Sequence, residues 1–267
     1  MAEEVHEMAT TSTGPTLTAE QRRQAAADGY FIVEGLLSPE ECRTYIERLD
    51  DYAHGRRPLP PGLAIQREPR IARGELAAAP GDDVRKISGV AHGDDLFRAL
   101  VLHPTVVRIM QELMSPNLKL FRADVLMKPA GVGSAKGMHQ DSPYWPIEPM
   151  ALWSCWVPFD PTTEENGCMT AIPGSHRLGA LPHVHVTDDY VVPAEHYDAS
   201  RIVALPMKPG SGLFFHSLLL HGTAENRSRQ PRRAITMSYM AAEYHYTGAK
   251  PKPEYLRISG VDVPGGV

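Results

Sequence analysis

The pattern of hydrophobic and polar positions in the first fifty residues predicts two helices separated by a strand. Thr18, followed three residues later by Gln21, fits a capping box, so a helix is predicted from residue 18 to about residue 28. The four residues 30–33 are aromatic or β-branched and predict a strand. Ser38 and Pro39 mark the start of a second helix, which runs to about residue 54 and has one apolar face, formed by Cys42, Tyr45, Ile46 and Leu49.

Further along, the pattern changes from helical to strand-rich. Residues 94–114 predict two helices that are split at His103–Pro104, and residues 118–127 alternate as a strand does. From residue 129 to about residue 240, short apolar runs are separated by proline and glycine turns. This pattern favours a mainly β fold with flanking helices (α+β), with a jelly-roll or cupin-like core.

Three segments differ from these elements in composition. Residues 1–15 are polar and predict a disordered tail, which leaves residues 16–267 as a single predicted domain. Residues 241–267 contain several prolines and are expected to pack on the surface. Residues 55–85 combine prolines, glycines and scattered arginines without sustained periodicity. Long irregular segments in compact domains are often functional, so we predict a lid or substrate loop here; the alternative is a solvated surface insertion.

Composition limits the kinds of partner. The chain has 267 residues, 42% hydrophobic and 22% charged, as expected for a globular domain. The net charge is -5 without any basic block, which argues against nucleic acid or membrane partners, and no apolar run could span a bilayer. Three widely spaced cysteines form no disulfide framework, which favours a reducing compartment, and we expect the cytoplasm. The expected partner is a small-molecule substrate, and the oligomeric state is left open.

The most informative stretch begins with His139 and Asp141. On a β-strand, residues two apart point to the same face, so an imidazole and a carboxylate are held together. A third ligand can come from elsewhere in the chain, and the best candidate is His221, which precedes a glycine. Two histidines and one carboxylate on one face of an octahedron leave three positions open, as in non-haem Fe(II) oxygenases.

Other histidines also have to be considered. His216 competes with His221, because on a continuous strand residues five apart lie on opposite faces and only one can face a metal. His183 and His185 have the spacing of two ligands but lack a partner carboxylate, so a solvated or substrate-facing loop is the alternative.

An ordered series of motifs resembles the phytanoyl-CoA dioxygenase family. It consists of the run from His139 to Trp145, Glu165–Cys168, Ile172–His176, His221–Gly222, and Arg232 eleven residues later. The resemblance extends from about residue 17 to residue 239. It implies a double-stranded β-helix and an enzyme that uses Fe(II), 2-oxoglutarate and O2. Such an enzyme would oxidise, and most often hydroxylate, an unactivated C–H bond of a small organic substrate, giving succinate and CO2; secondary metabolism is the expected setting.

The resemblance also implies roles for individual residues. His139, Asp141 and His221 would bind the metal, which favours His221 over His216. Arg232 would bind the far carboxylate of 2-oxoglutarate through a planar fork of donors, and its neighbour Arg233 would face the other way. Thr223 and Trp156 would lie near the co-substrate, with ordinary core packing as the alternative, and Lys86 would reach it, with a solvated lysine as the alternative. Tyr144 follows the ligand strand directly, so we expect it near the substrate; the alternative is that it fills the barrel.

One position departs from the family pattern. Asp124 occupies a site that is often amide or apolar, and a carboxylate beside an anionic co-substrate is unfavourable unless it is turned away or protonated. Two other classes of function are kept as alternatives. One is a cupin-like metalloenzyme that does not use 2-oxoglutarate, and the other is a non-catalytic metal-binding barrel.

Overall fold

Two antiparallel sheets form the centre of the molecule, and helices cover the outer face of the larger sheet. The structure is a computed structural model that describes residues 16–187 and 189–267; the tail predicted over residues 1–15 lies outside them. The larger sheet has eight strands and the smaller has four. The predicted fold class, mainly β with flanking helices around a jelly-roll core, is confirmed.

The helices are α1 Ala19–Asp28, α2 Pro39–Ala53, α3 Pro69–Ala72, α4 Val90–Gly93, α5 Asp95–Val101 and α6 Pro104–Leu113. The strands are β1 Tyr30–Val33, β2 Ala64–Arg67, β3 Val84–Ser88, β4 Leu118–Lys128, β5 Lys136–His139, β6 Ile147–Glu148, β7 Trp153–Pro158, β8 Met169–Ala171, β9 Val184–Val186, β10 Asp189–Val191, β11 Val203–Leu205, β12 Gly212–His216, β13 His221–Thr223, β14 Arg232–Ala241, β15 His245–Tyr246 and β16 Arg257–Ser259. Short 3-10 turns occupy Ser142–Tyr144, Ser175–Leu178, Ala194–His196 and Ala199–Arg201.

The first two helices begin where the sequence predicts. The Thr18 hydroxyl accepts a hydrogen bond from the Gln21 backbone N–H at 3.1 Å, which completes a capping box. Ser38 caps α2 in the same way, with Pro39 in its first turn. Gly29 ends α1 with φ 80, and a Cβ there would lie 2.4 Å from the His176 ring, so this position requires glycine.

The larger sheet separates two cores of different character. Its strand order is β1-β12-β7-β14-β4-β3-β2, and β16 also pairs with β4. The helices pack on one face, where Phe97, Ile109 and Tyr239 are among the fully buried side chains. The other face packs against the smaller sheet, of order β11-β8-β13-β5. The space between the two sheets is where the candidate site lies.

Two segments differ from the sequence prediction. The segment 55–85 is not irregular throughout, because β2 pairs with β3 and so extends the larger sheet. The surface segment 241–267 contributes β15 and β16. The side chains of these edge strands are mostly exposed, so main-chain pairing leaves no hydrophobic pattern in the sequence. Among the described residues, no helix has the length and apolar character needed to cross a bilayer.

The comparison of His216 with His221 rested on a continuous strand, and that premise is wrong. His216 ends β12 in the larger sheet, whereas His221 begins β13 in the smaller one. The chain therefore changes sheets between the two histidines. The His216 ring packs against those of Trp153 and His176, at 5.5 Å between centroids in both cases, away from the metal-ligand candidates.

Candidate active site

The smaller sheet brings the two proposed histidine ligands together. His139 ends β5, His221 begins β13, and the two residues are directly paired across the strands with ring centroids 4.2 Å apart. Asp141 follows β5 by two residues, with its Oδ1 3.9 Å from the Nε2 of His139. One ligand atom from each of the three residues lies within 4.8 Å of the other two, and all three residues are buried. The geometry fits a divalent metal ion bound by two imidazoles and one carboxylate.

Backbone contacts orient both imidazoles. The Nδ1 of His139 lies 2.9 Å from the carbonyl oxygen of Gly137, and the Nδ1 of His221 lies 2.9 Å from that of Leu219. A carbonyl only accepts, so each Nδ1 carries the proton and each Nε2 keeps a lone pair for a metal. Burial is the largest influence on both rings and lowers the pKa of His139 well below its ordinary value and that of His221 as well. Both imidazoles are therefore neutral, as metal ligands must be.

The loop that carries Asp141 is anchored to the strand connection before His221. The backbone N–H groups of Asp141 and Ser142 both donate to the carbonyl oxygen of Ser217, at 2.9 and 3.1 Å. The Ser142 hydroxyl donates to the Ser217 hydroxyl at 2.6 Å. These contacts fix the distance between the carboxylate loop and His221, which are far apart in sequence.

A cavity of about 360 Å³ opens beside the three ligand candidates, between the two sheets. All eight predicted site residues contribute to its wall. They are His139, Asp141, His221, Arg232, Thr223, Trp156, Lys86 and Tyr144. The chain thus places the predicted metal, co-substrate and substrate residues around a single space.

Arg232 and Arg233 face opposite sides of β14. Arg232 is 2% exposed, and its guanidinium lies 5.4 Å from the Trp156 ring centroid. Its Nε and Nη1 have no hydrogen-bond partner among the described residues. Burial lowers the pKa of Arg232 to about 10, so it is still cationic at neutral pH. A buried guanidinium with two free donors that faces a cavity suits the carboxylate of a ligand.

The carboxylate of Asp124 is neutralised by neighbouring cations. Its Oδ2 lies 2.9 Å from the Nζ of Lys86 and 3.8 Å from Nη1 of Arg122. We expected Asp124 to be turned away or protonated. Pairing with two cations is a third way to offset its charge, and that expectation left it out. The same contact bears on the predicted role of Lys86. Its ammonium group lines the cavity but is paired with an acid of the protein itself.

Sequence reasoning missed two cations on β4. Lys128 lies directly opposite Arg232 on β14 and is buried, while Arg122, six residues earlier, faces the same cavity. Burial, and then the charge of Arg232, lower the pKa of Lys128 to about 7. The alternation of β4 could have revealed both, because residues 122, 124, 126 and 128 share one face of the strand.

The histidines at 183 and 185 do not join the metal-ligand group. His183 accepts a hydrogen bond from the Gln140 backbone N–H at 3.0 Å, and its ring lies edge-on to that of Tyr144 at 4.8 Å. His185 stands in β9, where its ring packs against Tyr190 at 4.9 Å. Through these contacts His183 stabilises the chain just after β5.

The fold and the site together define a class of protein. A double-stranded β-helix with a two-histidine, one-carboxylate group beside a buried, unpartnered arginine defines the non-haem Fe(II) oxygenases that use 2-oxoglutarate. The comparisons with known proteins specify the family. The sequence profile described as Phytanoyl-CoA dioxygenase (PhyH) matches residues 26–234. The probable phytanoyl-CoA dioxygenase of Caenorhabditis elegans is 30% identical over 242 residues, which cover 86% of this chain and 77% of the relative. The chain belongs to the phytanoyl-CoA dioxygenase family.

Solved structures of similar fold agree with this assignment. EctD from S. alaskensis with bound Fe superposes with a TM-score of 0.74 at 21% identity, covering 94% of this chain and 90% of that one. The structure of EctD with 2-oxoglutarate and 5-hydroxyectoine gives a TM-score of 0.69 at 20% identity, covering 96% and 88%. At this identity the likeness establishes the shared fold. The enzyme is accordingly a 2-oxoglutarate-dependent dioxygenase with Fe(II) as its metal.

Proposed function

We propose that this enzyme hydroxylates an unactivated C–H bond of a small organic substrate, with succinate and CO2 as co-products. The observation that carries the proposal is the placement of two features on one cavity. These are the buried His139, Asp141 and His221 group and the buried guanidinium of Arg232, which has two free donors. A dicarboxylate co-substrate needs an anchor at each end. The metal-ligand group would be one anchor, and the guanidinium of Arg232 would be the other.

His139, Asp141 and His221 are proposed to hold the Fe(II) ion. Each imidazole presents Nε2, because its Nδ1 is hydrogen-bonded to a backbone carbonyl. Three protein ligands leave positions free for the co-substrate and O2. When bound, Fe(II) would activate O2, which is the oxidant for C–H cleavage, and 2-oxoglutarate would supply two electrons as it is converted to succinate and CO2. The protein holds the three ligands in place, and all three residues are buried.

Arg232, Thr223 and Trp156 are proposed to bind 2-oxoglutarate. The free N–H donors of Arg232 would hold the far carboxylate in a charge-assisted contact. Thr223 lies on β13 two residues after His221 and lines the same cavity as His221 and Arg232. Trp156 packs beneath the guanidinium and fixes its direction. Lys86 is proposed to lie near the co-substrate, with its ammonium group on the cavity wall in an ion pair with Asp124.

Tyr144 is proposed to contact the substrate at the cavity mouth. Its side chain is 39% exposed and its ring lies 5.2 Å from that of Tyr190, whose side chain is also exposed. Two aromatic rings at an entrance provide apolar contact for the body of a small molecule. We also propose that residues 16–267 form one domain. The cytoplasm and secondary metabolism are the proposed setting, and the three free cysteines, all buried, support a reducing compartment.

The test is an assay of 2-oxoglutarate turnover by the full chain. Fe(II), ascorbate and 2-oxoglutarate are supplied with a panel of small organic compounds, and succinate and hydroxylated product are followed together by mass spectrometry. We expect one oxygen atom from ¹⁸O2 in the product and one in succinate. If the metal-loaded protein fails to bind 2-oxoglutarate in calorimetry, the alternative of a cupin-like metalloenzyme replaces this proposal.

A further inference from the structure

The cavity has more positive charge than the proposed metal and co-substrate account for. Six cations line it, namely Arg85, Lys86, Arg122, Lys128, Lys136 and Arg232, against two carboxylates, Asp141 and Asp189. Lys86 is paired with Asp124, and Lys136 with Asp189. A bound Fe(II) ion, Asp141, a dianionic co-substrate and Arg232 together would have no net charge. Cations that remain without a close acid are then available to a further anion.

Arg122 is the remaining cation nearest the proposed metal site. Its Nη2 lies 3.4 Å from the Oδ1 of Asp141, and its Nη1 lies 3.8 Å from the Oδ2 of Asp124. Both distances are longer than those of a close charged hydrogen bond. Its Nε has no partner among the described residues. Arg233 provides the contrast, because its guanidinium makes three side-chain contacts to acids at 2.8 to 2.9 Å.

Arg122 is also held in a direction suited to a ligand. Its guanidinium lies 4.8 Å from the Trp145 ring centroid, which limits its motion without taking up its donors. About a third of the side chain, 35%, is exposed, and it lines the same cavity as Tyr144. The N–H donors of the Arg122 guanidinium are therefore held in place, accessible to a ligand and only partly hydrogen-bonded.

The far carboxylate of the co-substrate cannot contact both arginines. Arg232 pairs with Lys128 and Ser238 pairs with Arg122 across β14 and β4, so the two arginines stand six residues apart along the sheet. At about 3.3 Å per residue that is roughly 20 Å of strand. A five-carbon dicarboxylate that is held by Arg232 and the metal at its two ends leaves the Arg122 end of the cavity unfilled.

We infer that the substrate is a small carboxylic acid and that Arg122 binds its carboxylate, with Tyr144 and Tyr190 in contact with its body. This inference rests on the proposed function. A guanidinium matches a carboxylate with two parallel donors. The size follows from the cavity, whose volume of about 360 Å³ must also take 2-oxoglutarate. Because Arg122 lies beside Asp141, the oxidised carbon would be only a short chain away from the acid group.

The test compares acids with their amides in the absence of turnover. The full chain is loaded with Ni(II) in place of Fe(II) and with saturating 2-oxoglutarate, which also blocks the Arg232 end. Calorimetric titrations then use three pairs of probes: propanoate and propanamide, benzoate and benzamide, and 3-phenylpropanoate and 3-phenylpropanamide. Phenyl phosphate is included to separate a carboxylate site from a phosphate site. We expect at least one acid to bind about tenfold or more tightly than its amide, as a charge-assisted contact predicts.

Variants identify the residue responsible. Arg122→Gln should abolish the preference for the acid, and Arg122→Lys should restore part of it because the charge returns without the fork. Arg85→Gln is the matched control. It removes one cation from the same cavity, and the influence of Arg85 on the pKa of Lys128 places it near the Arg232 end. The preference for the acid should survive in this variant.

Three outcomes would overturn the inference. They are acids that bind no more tightly than their amides, a preference for phenyl phosphate over every acid, and a preference for acids that persists in Arg122→Gln. Loss of metal affinity in Arg122→Gln without a change in the acid preference would make Arg122 a positioning residue for Asp141, which also overturns it. If 2-oxoglutarate itself fails to bind wild-type protein, the proposed function fails first, and the two failures are therefore distinguishable.

Discussion

Arg232 and Arg233 are adjacent on β14, but they lie on opposite faces of the sheet and differ in their partners. On the helix-facing side, Arg233 is paired with Asp160 through two side-chain contacts at 2.8 and 2.9 Å and with Asp50 at 2.8 Å. On the cavity side, Arg232 is buried more deeply yet has two donors without a partner among the described residues. A buried charge without a partner is costly, so folding alone would not favour it. The difference supports the proposal that one face of the sheet serves stability and the other serves ligand binding.

Removing the metal ligands gives the largest expected effect on the cavity face. His139→Ala and Asp141→Ala should each abolish stoichiometric metal binding and turnover, because two ligands hold a divalent ion poorly in this geometry. The measurement is metal content after loading and desalting, together with succinate formation. Thermal unfolding of the metal-free proteins serves as the control for folding. Iron stoichiometry that is unchanged in both variants would contradict the assignment.

Replacing the unpartnered arginine should weaken binding of 2-oxoglutarate alone. Losing one member of a buried charged contact costs ~2–5 kcal/mol, roughly 30- to several-thousand-fold in Kd. Arg232→Ala should therefore raise the Kd of 2-oxoglutarate by that factor and leave metal affinity near its wild-type value. Calorimetry on Ni(II)-loaded protein measures both. An unchanged Kd would show that the far carboxylate binds elsewhere.

The neighbouring substitution should have the opposite profile. Arg233→Ala leaves the mostly buried carboxylate of Asp160 and the half-buried one of Asp50 without their cation. Breaking a buried pair on one side typically costs about 3–5 kcal/mol of unfolding free energy. Denaturant unfolding of the metal-free proteins should show this loss for Arg233→Ala and a much smaller change for Arg232→Ala. Equal losses in the two variants would remove the distinction between the faces.

Much of the site was predictable from local spacing and from the family resemblance. The adjacency of Arg232 and Arg233 places them on opposite faces once β14 exists. The spacing of His139 and Asp141 predicted a shared face on one strand, whereas β5 ends at His139 and a turn carries Asp141 to the same site. The pairing of His139 with His221 was beyond local pattern, since it depends on two strands distant in sequence. The resemblance, rather than any periodicity, selected His221.

Other features could not be read from hydropathy. Arg122 shares a face of β4 with Asp124, but the second partner of Asp124, Lys86, is apparent only once β3 and β4 are seen side by side. Tyr190 reaches the cavity from a hairpin whose exposed side chains give no core signal. Main-chain pairing of edge strands such as β2 leaves equally little trace, because hydrogen bonds between backbones are independent of side-chain type.

The pH dependence of 2-oxoglutarate affinity tests the role of Lys128 on the cavity face. Burial, and then the charge of Arg232, lower its pKa to about 7, so it loses its proton as the pH rises through neutrality. A bound dicarboxylate near Arg232 would favour the charged ammonium, so binding above that pH takes up a proton. Affinity for 2-oxoglutarate should therefore fall as pH rises from about 7, by at most about tenfold per unit. The measurement is Kd as a function of pH for wild type and for Lys128→Met, which should lose this slope. Identical slopes would exclude Lys128.

The smallest expected effect concerns the segment 55–85, predicted as a lid. The structure narrows that prediction, because β2 is already paired with β3 and the two ends of the connection between them are anchored. Glu68 is fully buried and hydrogen-bonded to the hydroxyl of Ser134, while Asp83 forms an ion pair with Arg67. Within the connection between β2 and β3, residues 69–82 lie between these anchors, and most of them are exposed.

This connection joins strands that line the cavity through Gln66 and Arg85, so its closure would shield the oxidation of a C–H bond from water. Amide hydrogen exchange should show strong protection of β2 in the free protein and weak protection of residues 69–82, with the latter rising when 2-oxoglutarate and a bound acid are added. The peptides of β16, an edge strand on the same sheet and far from the cavity, serve as the control and should not change. If residues 69–82 are as protected as β4 before any ligand is added, the segment is scaffold. In that case the mouth beside Tyr144 and Tyr190 stays open during turnover, and water must be excluded by the substrate itself.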